Sequence, residues 1–159
     1  MNDSAYAAFA ALDPFFDVVQ KGLEGLVDGQ HFFDTVADEA IFEFRYRFPG
    51  WPQKLGGRDD LMALYAGYGD NIILHDADGL IVHRCQNPRI VILEYEVHGK
   101  AVATGALYDN RFISVVTISN REIVHWRDYM DSGRERNETP ATVMRPTQPG
   151  FNPLPYGAS

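Results

Sequence analysis

The segment Glu122–Asp131, EIVHWRDYMD, places one carboxylate in an otherwise apolar row. Its β-branched and aromatic residues predict a strand. Because strand side chains alternate between two faces, Val124, Trp126, Asp128 and Met130 should share one face. A carboxyl group flanked by apolar side chains is partly desolvated, which raises its pKa and suits it to general acid–base catalysis. The alternative is structural: Asp128 pairs with an arginine or lies at a wet strand end, since structural ion pairs are common.

A second polar row occurs in EYEVHGK, where strand phase puts Glu94, Glu96 and His98 on one face. If that face lines a cavity, the row could transfer protons, whereas on an edge strand it is a solvated face. Glu-x-His supplies two metal ligands at most, and no histidine pair with recognisable spacing complements it, so no metal site is predicted. Tyr108, at a strand junction beside Asp109, could donate a hydroxyl hydrogen to a developing negative charge.

The elements that position these residues follow from periodicity. A first helix is predicted from Asp13-Pro14 to Gly29, a short second helix over 29–37, a strand over 39–48 and a third helix over 56–69. Five strands are predicted afterwards, at 79–85, 89–97, 100–108, 110–119 and 121–130, with VHGK and SNRE as turns. Helices followed by sequential strands indicate an α+β fold, with the helices on one face of an antiparallel sheet.

Composition limits the class of protein. The 159 residues suit one domain over 1–138, followed by a proline-rich arm over 139–159 that holds five of the nine prolines. A net charge of −8 argues against nucleic acid and anionic membranes as partners. The single cysteine, Cys85, and the absence of a signal-like or anchor-like N-terminus predict a cytoplasmic protein. No phosphate-binding or dinucleotide motif occurs, so no cofactor is expected.

Three stretches, GRDDL, EYEVHGK and YDNRFISVVTISNREIVHWRDYMD, resemble the SnoaL-like superfamily over about residues 13–135. This superfamily includes polyketide cyclases, ketosteroid isomerase, scytalone dehydratase, limonene epoxide hydrolase and, closest in appearance, the phenazine-biosynthesis A/B proteins. The resemblance implies a cone-shaped α+β barrel, in which a bent antiparallel sheet wraps around three helices and encloses a deep pocket. It also implies a homodimer packed sheet against sheet. By the same resemblance, Asp128 acts as acid or base and Tyr108 is a pocket tyrosine.

The chain also departs from its apparent relatives. Phe44 stands where ketosteroid isomerase has its base, and Gly22 lies near the place of its oxyanion tyrosine. The Arg-x-Asp pair of limonene epoxide hydrolase corresponds to Glu96-x-His98, and the pocket histidine of the phenazine proteins to Leu64. None of the best-known activities therefore transfers intact.

Three functional hypotheses remain. The first is a cofactor-free isomerase, cyclase or dehydratase acting on a small, mostly apolar, carbonyl- or hydroxyl-bearing molecule, with Asp128 as base and His98 or Tyr108 polarising the oxygen. The second is a non-catalytic binding protein, and the third a dimerisation or targeting domain whose cavity is plugged by Trp51 or Tyr68. The predicted pocket residues are Phe44, Trp51, Leu64, Tyr65, Tyr68, Asn110, Phe112, Ser114, Trp126 and Met130. The predicted dimer face contains Ile123, His125 and Tyr129.

Overall fold

A computed structural model describes residues 6–47 and 51–131 of the chain. The predicted proline-rich arm and the domain boundary at residue 138 lie outside these ranges. Within the described ranges, no helix combines the length and apolarity that crossing a membrane requires.

Over residues 6–47 and 51–131, the helical layer has two α-helices and two short 3₁₀ helices. A 3₁₀ helix, Ala7–Leu12, leads directly into α1, Asp13–Gly22. Pro14 lies in the first turn of α1, where its missing N–H breaks no hydrogen bond of the helix. The second 3₁₀ helix is Phe32–Thr35, and α2 is Arg58–Tyr68.

The predicted second helix is much shorter than expected, and the first ends at Gly22 rather than Gly29. His31 and Asp34 form a reciprocal cap around the 3₁₀ turn: His31 Nδ1 accepts from the Phe33 N–H at 3.1 Å, and Asp34 accepts from the His31 N–H at 3.1 Å. This local cap replaces a longer helix, and the chain then enters a strand at Val36.

In the described part of the chain, six strands form one open sheet. They are β1 Val36–Phe44, β2 Lys54–Gly56, β3 Ile72–Arg84, β4 Ile90–Ala101, β5 Leu107–Ser119 and β6 Glu122–Asp131, in the order β2-β1-β6-β5-β4-β3. The α+β class with a sheet around the helices is confirmed, although the sheet does not close into a barrel. It is also mixed rather than wholly antiparallel, because β1 runs parallel to β6. Some 80 residues separate these two strands, so no tight hairpin dictates their direction.

The hairpin between β4 and β5 corrects two predictions. VHGK is not a turn, because β4 continues through it, and residues 100–108 are not one strand, because the chain turns at 102–106. Gly105 has φ of +75° and permits this turn. Gly99 lies inside β4, where β3 approaches so closely that an added Cβ would lie 2.3 Å from the Ile73 carbonyl oxygen.

The two faces of the sheet differ in character. Along β4, Val91, Leu93, Tyr95 and Val97 are buried, while the residues between them face outward. The helices pack on the inner face of the sheet, with α1 lying on β3 and β4 and α2 lying on β1 and β2. The core therefore lies between the inner face of the sheet and the helical layer.

A bulge at the start of β6 changes the predicted phase there. Thr117 pairs with His125 but Ile118 pairs with Ile123, so Val124 is the extra residue. Ile123 is consequently buried in the core, and its predicted place on the outer dimer face is wrong. Beyond the bulge, Trp126, Asp128 and Met130 share the inner face as predicted.

The close approach at Gly99 gives a stability prediction. Gly99→Ala should lower the free energy of unfolding by about 2–3 kcal/mol, because the new Cβ meets backbone atoms of β3 that cannot move without disturbing the strand pair. Urea denaturation followed by circular dichroism measures the change. The control is Gly67→Ala in α2, where no atom lies within 4 Å of the new Cβ. Gly67→Ala should be neutral or stabilising, and equal losses in both variants would contradict the argument.

Candidate functional site

Asp128 is buried on the inner face, with 3% of its surface exposed. Its Oδ1 accepts hydrogen bonds from Ser114 Oγ at 2.6 Å and from Trp126 Nε1 at 2.7 Å. The Tyr95 hydroxyl lies 2.8 Å from Ser114 Oγ. Since Ser114 gives its only hydrogen to Asp128, Tyr95 must donate to Ser114. Within the described residues, the hydrogen bonds to this carboxyl group all reach Oδ1, so Oδ2 has no such donor.

The fold itself brings these groups together. Ser114 on β5 is the direct neighbour of Asp128 on β6, and Leu93 on β4 is the neighbour of Ser114. Trp126 is two residues before Asp128 and therefore shares its face. The indole ring is fully buried and stacks on Phe42, with 6.0 Å between the ring centroids. The carboxyl group is thus oriented by donors that are themselves fixed in the core.

Burial raises the pKa of Asp128 from 3.8 to about 7. The hydrogen bonds from Ser114 and Trp126 oppose this rise because they stabilise the carboxylate, but desolvation dominates. No salt bridge involves Asp128 among residues 6–47 and 51–131, so the ion-pair alternative is not met there. A carboxyl group with a pKa near neutrality can both accept and release a proton at physiological pH.

The cavity beside Asp128 is narrow, at about 50 Å³, which is room for a few water molecules. Seven of the predicted residues line it: Trp51, Tyr65, Tyr68, Tyr108, Phe112, Asp128 and Met130. The hydroxyl groups of Tyr68 and Tyr108 are hydrogen bonded to each other in its wall. Trp51 and Tyr68 are the two side chains that would plug the cavity in a domain without a ligand. Both line the cavity and make it narrow.

Other predicted pocket residues lie close to the cavity without lining it. Ser114 and Trp126 hold Asp128, and Phe44 packs behind Trp51 with 5.7 Å between the ring centroids. Leu64 is partly buried against the core. Asn110 is buried, and its Nδ2 has no hydrogen-bond partner in the part of the chain that the structure describes.

Sequence reasoning missed five lining residues: Leu12, Phe15, Tyr46, Leu74 and Val97. A signal existed for two of them. Phe15 belongs to the apolar stripe of α1, and Tyr46 continues the alternation of Phe42 and Phe44 beyond β1. Leu12, Leu74 and Val97 are ordinary core residues by pattern, and only the packing of their elements brings them to the cavity.

The predicted catalytic role of His98 is not supported, because His98 lies on the opposite face of the sheet from Asp128. Tyr95 and Val97 point inward, so His98 points outward. Its Nδ1 lies 2.6 Å from Asp109 Oδ1 and its Nε2 lies 3.1 Å from Asp78 Oδ1. Partial burial lowers the pKa of His98, but the hydrogen bonds to these two carboxylates outweigh that effect and raise it overall.

The outer face also contains the one group of potential metal ligands found among the described residues. The ligand atoms of Asp78, Glu96 and His98 lie within 4.8 Å of one another. The same side chains form ion pairs when His98 is protonated, with Glu96 Oε1 at 3.8 Å from Nε2. Ion pairing therefore accounts for the cluster without a metal.

The raised pKa of Asp128 predicts a pH-dependent stability. Its folded pKa of about 7 exceeds the unfolded value of 3.8, so the folded state binds more protons between these values. The Asp128 contribution to stability is therefore present below about pH 4 and is lost as the pH rises to about 7. Asp128→Asn removes this loss, so its unfolding free energy relative to wild type should increase by a few kcal/mol between pH 4 and 7.

Urea denaturation at several pH values measures this difference. Asp70→Asn is the control, since Asp70 is exposed in the loop after α2. The control should keep the wild-type pH profile. Parallel profiles for wild type and Asp128→Asn would contradict a raised pKa.

Two curated relatives match part of the sequence. YesE, an uncharacterized protein of Bacillus subtilis, is 30% identical over 92 residues, which are 58% of this chain and 63% of YesE, slightly less than two thirds of that protein. An uncharacterized PhzA/B-like protein of Pseudomonas aeruginosa is 24% identical over 102 residues, covering 64% of this chain and 72% of the relative. No protein-family model matches the chain.

Solved structures match more of the chain. A Bacillus subtilis protein described as a "Putative Isomerase" has a TM-score of 0.61 at 25% identity, covering 82% of this chain and 90% of that one. A phenazine biosynthesis-related protein of Pseudomonas aeruginosa has a TM-score of 0.56 at 17% identity, covering 80% and 79%. An NTF2-like protein of Burkholderia xenovorans has a TM-score of 0.54 at 13% identity, covering 79% and 89%. With its helices packed on one face of a bent six-stranded sheet, the chain therefore has the SnoaL-like, NTF2-like α+β fold that its sequence resemblance predicts.

Proposed function

We propose that this chain is a cofactor-free acid–base catalyst that acts on a small, mostly apolar, carbonyl- or hydroxyl-bearing molecule. One observation carries the proposal: a single carboxyl group with a pKa of about 7 lines an aromatic cavity. General bases work best when their pKa lies near the operating pH. For Asp128, desolvation alone brings the pKa close to physiological pH, without a second charged group.

The hydrogen-bond geometry supports different roles for the two oxygens of the Asp128 carboxyl group. Oδ1 is held by Ser114 and Trp126, so Oδ2 is the oxygen that would take the substrate proton. A hydroxyl group of the Tyr68–Tyr108 pair would donate to the substrate oxygen as negative charge develops there. Proton removal and return of this kind serve isomerisation, cyclisation and dehydration. The activities suggested for structural neighbours, isomerase and polyketide cyclase, belong to the same broad chemistry.

The size of the cavity limits how a substrate enters. A cavity of about 50 Å³ does not hold a ring-sized molecule, so Trp51 and Tyr68, whose ring centroids are 5.5 Å apart, must move when one binds. The alternative function is non-catalytic binding on the same fold. It is favoured by the hydrogen bonds from Ser114 and Trp126, which stabilise and orient the carboxylate so that it can hold a polar group of a ligand.

A homodimer and a cytoplasmic setting belong to the same proposal. Ile81, Glu94, Ile113 and Tyr129 form one row across β3, β4, β5 and β6 on the outer face. The three apolar members of this row are 50%, 43% and 41% exposed, which suits a surface that a second copy covers. Of the predicted dimer residues, Tyr129 lies in this row and His125 lies on the same strand, with its Nε2 2.7 Å from Glu43 Oε2.

Asp128→Asn should abolish turnover while the fold and the affinity for ligands remain, because the amide keeps the shape of the carboxyl group without its proton chemistry. A thermal-shift screen with cyclic ketones and polyketide fragments would supply ligands. Proton exchange next to the carbonyl group, followed by NMR in D₂O, would then measure turnover. We expect a loss of about 10²–10⁴-fold, and a wild-type rate that rises with pH through about 7. Asp70→Asn is the control, and an unchanged exchange rate in Asp128→Asn would leave only the binding function.

Tyr129→Lys should convert the dimer to a monomer, because it places a charge beside the exposed Ile113, at the β6 end of the outer row. Light scattering coupled to gel filtration at micromolar concentration measures the mass. Val102→Lys is the control, since Val102 is also exposed but lies in the turn after β4, away from the row. A monomeric wild type would contradict the proposed assembly.

A further inference from the structure

The charge of the cavity wall restricts what the cavity can hold. Among the twelve described residues that line it, seven are aromatic, four are aliphatic or thioether side chains, and one, Asp128, carries a carboxyl group. None of the twelve is Lys, Arg or His. The part of the wall that the structure describes thus offers aromatic rings and one carboxyl group, with no cationic side chain.

Because of this composition, the binding free energy should depend on the charge of the ligand. An anion would be buried beside Asp128 with no compensating cation, which is costly in an apolar site. A neutral ligand gains only hydrogen bonds from the carboxyl group and the tyrosine hydroxyls. An organic cation gains both the carboxylate and the negative faces of the rings, and cation–π contacts strengthen when they are desolvated.

The arrangement of the rings fits a cation. The Trp51 ring centroid lies 5.5 Å from that of Tyr68 and 6.4 Å from that of Tyr65, and the centroids of Tyr68 and Tyr108 are 6.4 Å apart. Asp128 lines the same cavity with Oδ2 not engaged by any donor of the described chain. A space of about 50 Å³ suits a small head group better than a fused ring system.

We infer that the cavity binds small organic amines as ammonium ions, with the Asp128 carboxylate as ion-pair partner and Trp51, Tyr65, Tyr68 and Tyr108 as an aromatic cage. The inference goes beyond the proposed function, because it concerns the charge of the ligand and holds whether or not a bound molecule is turned over. An amine that is not turned over would compete with the neutral substrate of the proposed reaction.

Ion pairing requires the ionised form of Asp128, so amine binding must strengthen as the pH rises through about 7. Among residues 6–47 and 51–131, the hydroxyls of Tyr46, Tyr65 and Tyr95 interact electrostatically with this carboxyl group, and burial raises the pKa of each well above 10. They therefore stay neutral over this range, as does Tyr68. Asp128 is then the protein group whose titration governs amine binding.

Three probes test the inference: benzylamine, benzyl alcohol and benzoate. Their shared ring needs the same movement of Trp51 and Tyr68 in each case, so the probes differ only in the head group. Isothermal titration calorimetry on the full chain at pH 6 and pH 8 measures their affinities. At pH 8, benzylamine should bind at least about tenfold more tightly than benzyl alcohol, an advantage that shrinks severalfold at pH 6, and benzoate should not bind. Equal affinities for amine and alcohol, tighter binding of benzoate, or binding of none of the probes would overturn the inference.

Variants distinguish binding of the amine in the cavity from non-specific attraction of a cation to an acidic protein. Asp128→Asn should bring the affinities for amine and alcohol within about twofold of each other, and Trp51→Leu should reduce the amine advantage severalfold. Retained binding of the alcohol shows that each variant is folded. Asp109→Asn, on the outer face, removes one negative charge away from the cavity and should keep the full advantage. An equal loss in Asp109→Asn would overturn the inference.

The outcome is distinguishable from that of the proposed function. If the alcohol binds as tightly as the amine but exchange still depends on Asp128, the inference fails and the catalyst stands. If the amine advantage depends on Asp128 but no exchange occurs with any ligand, the catalyst fails and the cation site stands.

Discussion

The desolvation of one carboxyl group is the constraint on which the functional site depends. An isolated charge in an apolar wall is costly, and the chain meets that cost in two ways. Ser114 and Trp126 donate hydrogen bonds to one oxygen, and the pKa rises to about 7 so that the group is often neutral. The donors fix the orientation of the carboxyl group, while burial fixes its proton affinity, and these are the two properties that either catalysis or ligand recognition requires.

The alternation of side chains along the sheet separates two kinds of chemistry. On the inner face, tyrosine, tryptophan and phenylalanine surround a carboxyl group that has no charged partner among the described residues. On the outer face, His83, His98 and His125 each pair with a carboxylate on a neighbouring strand. The outer carboxylates are partly exposed, so water also stabilises them. Carboxyl groups thus lie beside histidines at the solvated surface on one side of the sheet and are buried on the other.

The parallel pairing of β1 with β6 completes the site. It places Phe44 directly beside Asp128, and the Arg45 N–H donates to the Asp128 carbonyl oxygen at 2.8 Å. Phe44 supports Trp51, and Tyr46 follows in the same phase and reaches the cavity. One wall of the cavity therefore comes from a strand that is distant in sequence, and its position depends on a pairing that no hairpin enforces.

The sequence by itself determined the phase of the strands, because alternation is a local property that the pleat imposes on every strand. It placed Asp128 beside Trp126 and Met130, put Phe112 and Ser114 on one face of β5, and predicted the α+β class. The direction of β1, the bulge at Val124, the full set of lining residues and the narrowness of the cavity were decided only by the tertiary structure. Each of these depends on contacts between residues far apart in the chain, and local periodicity carries no information about which distant elements meet or how closely they pack.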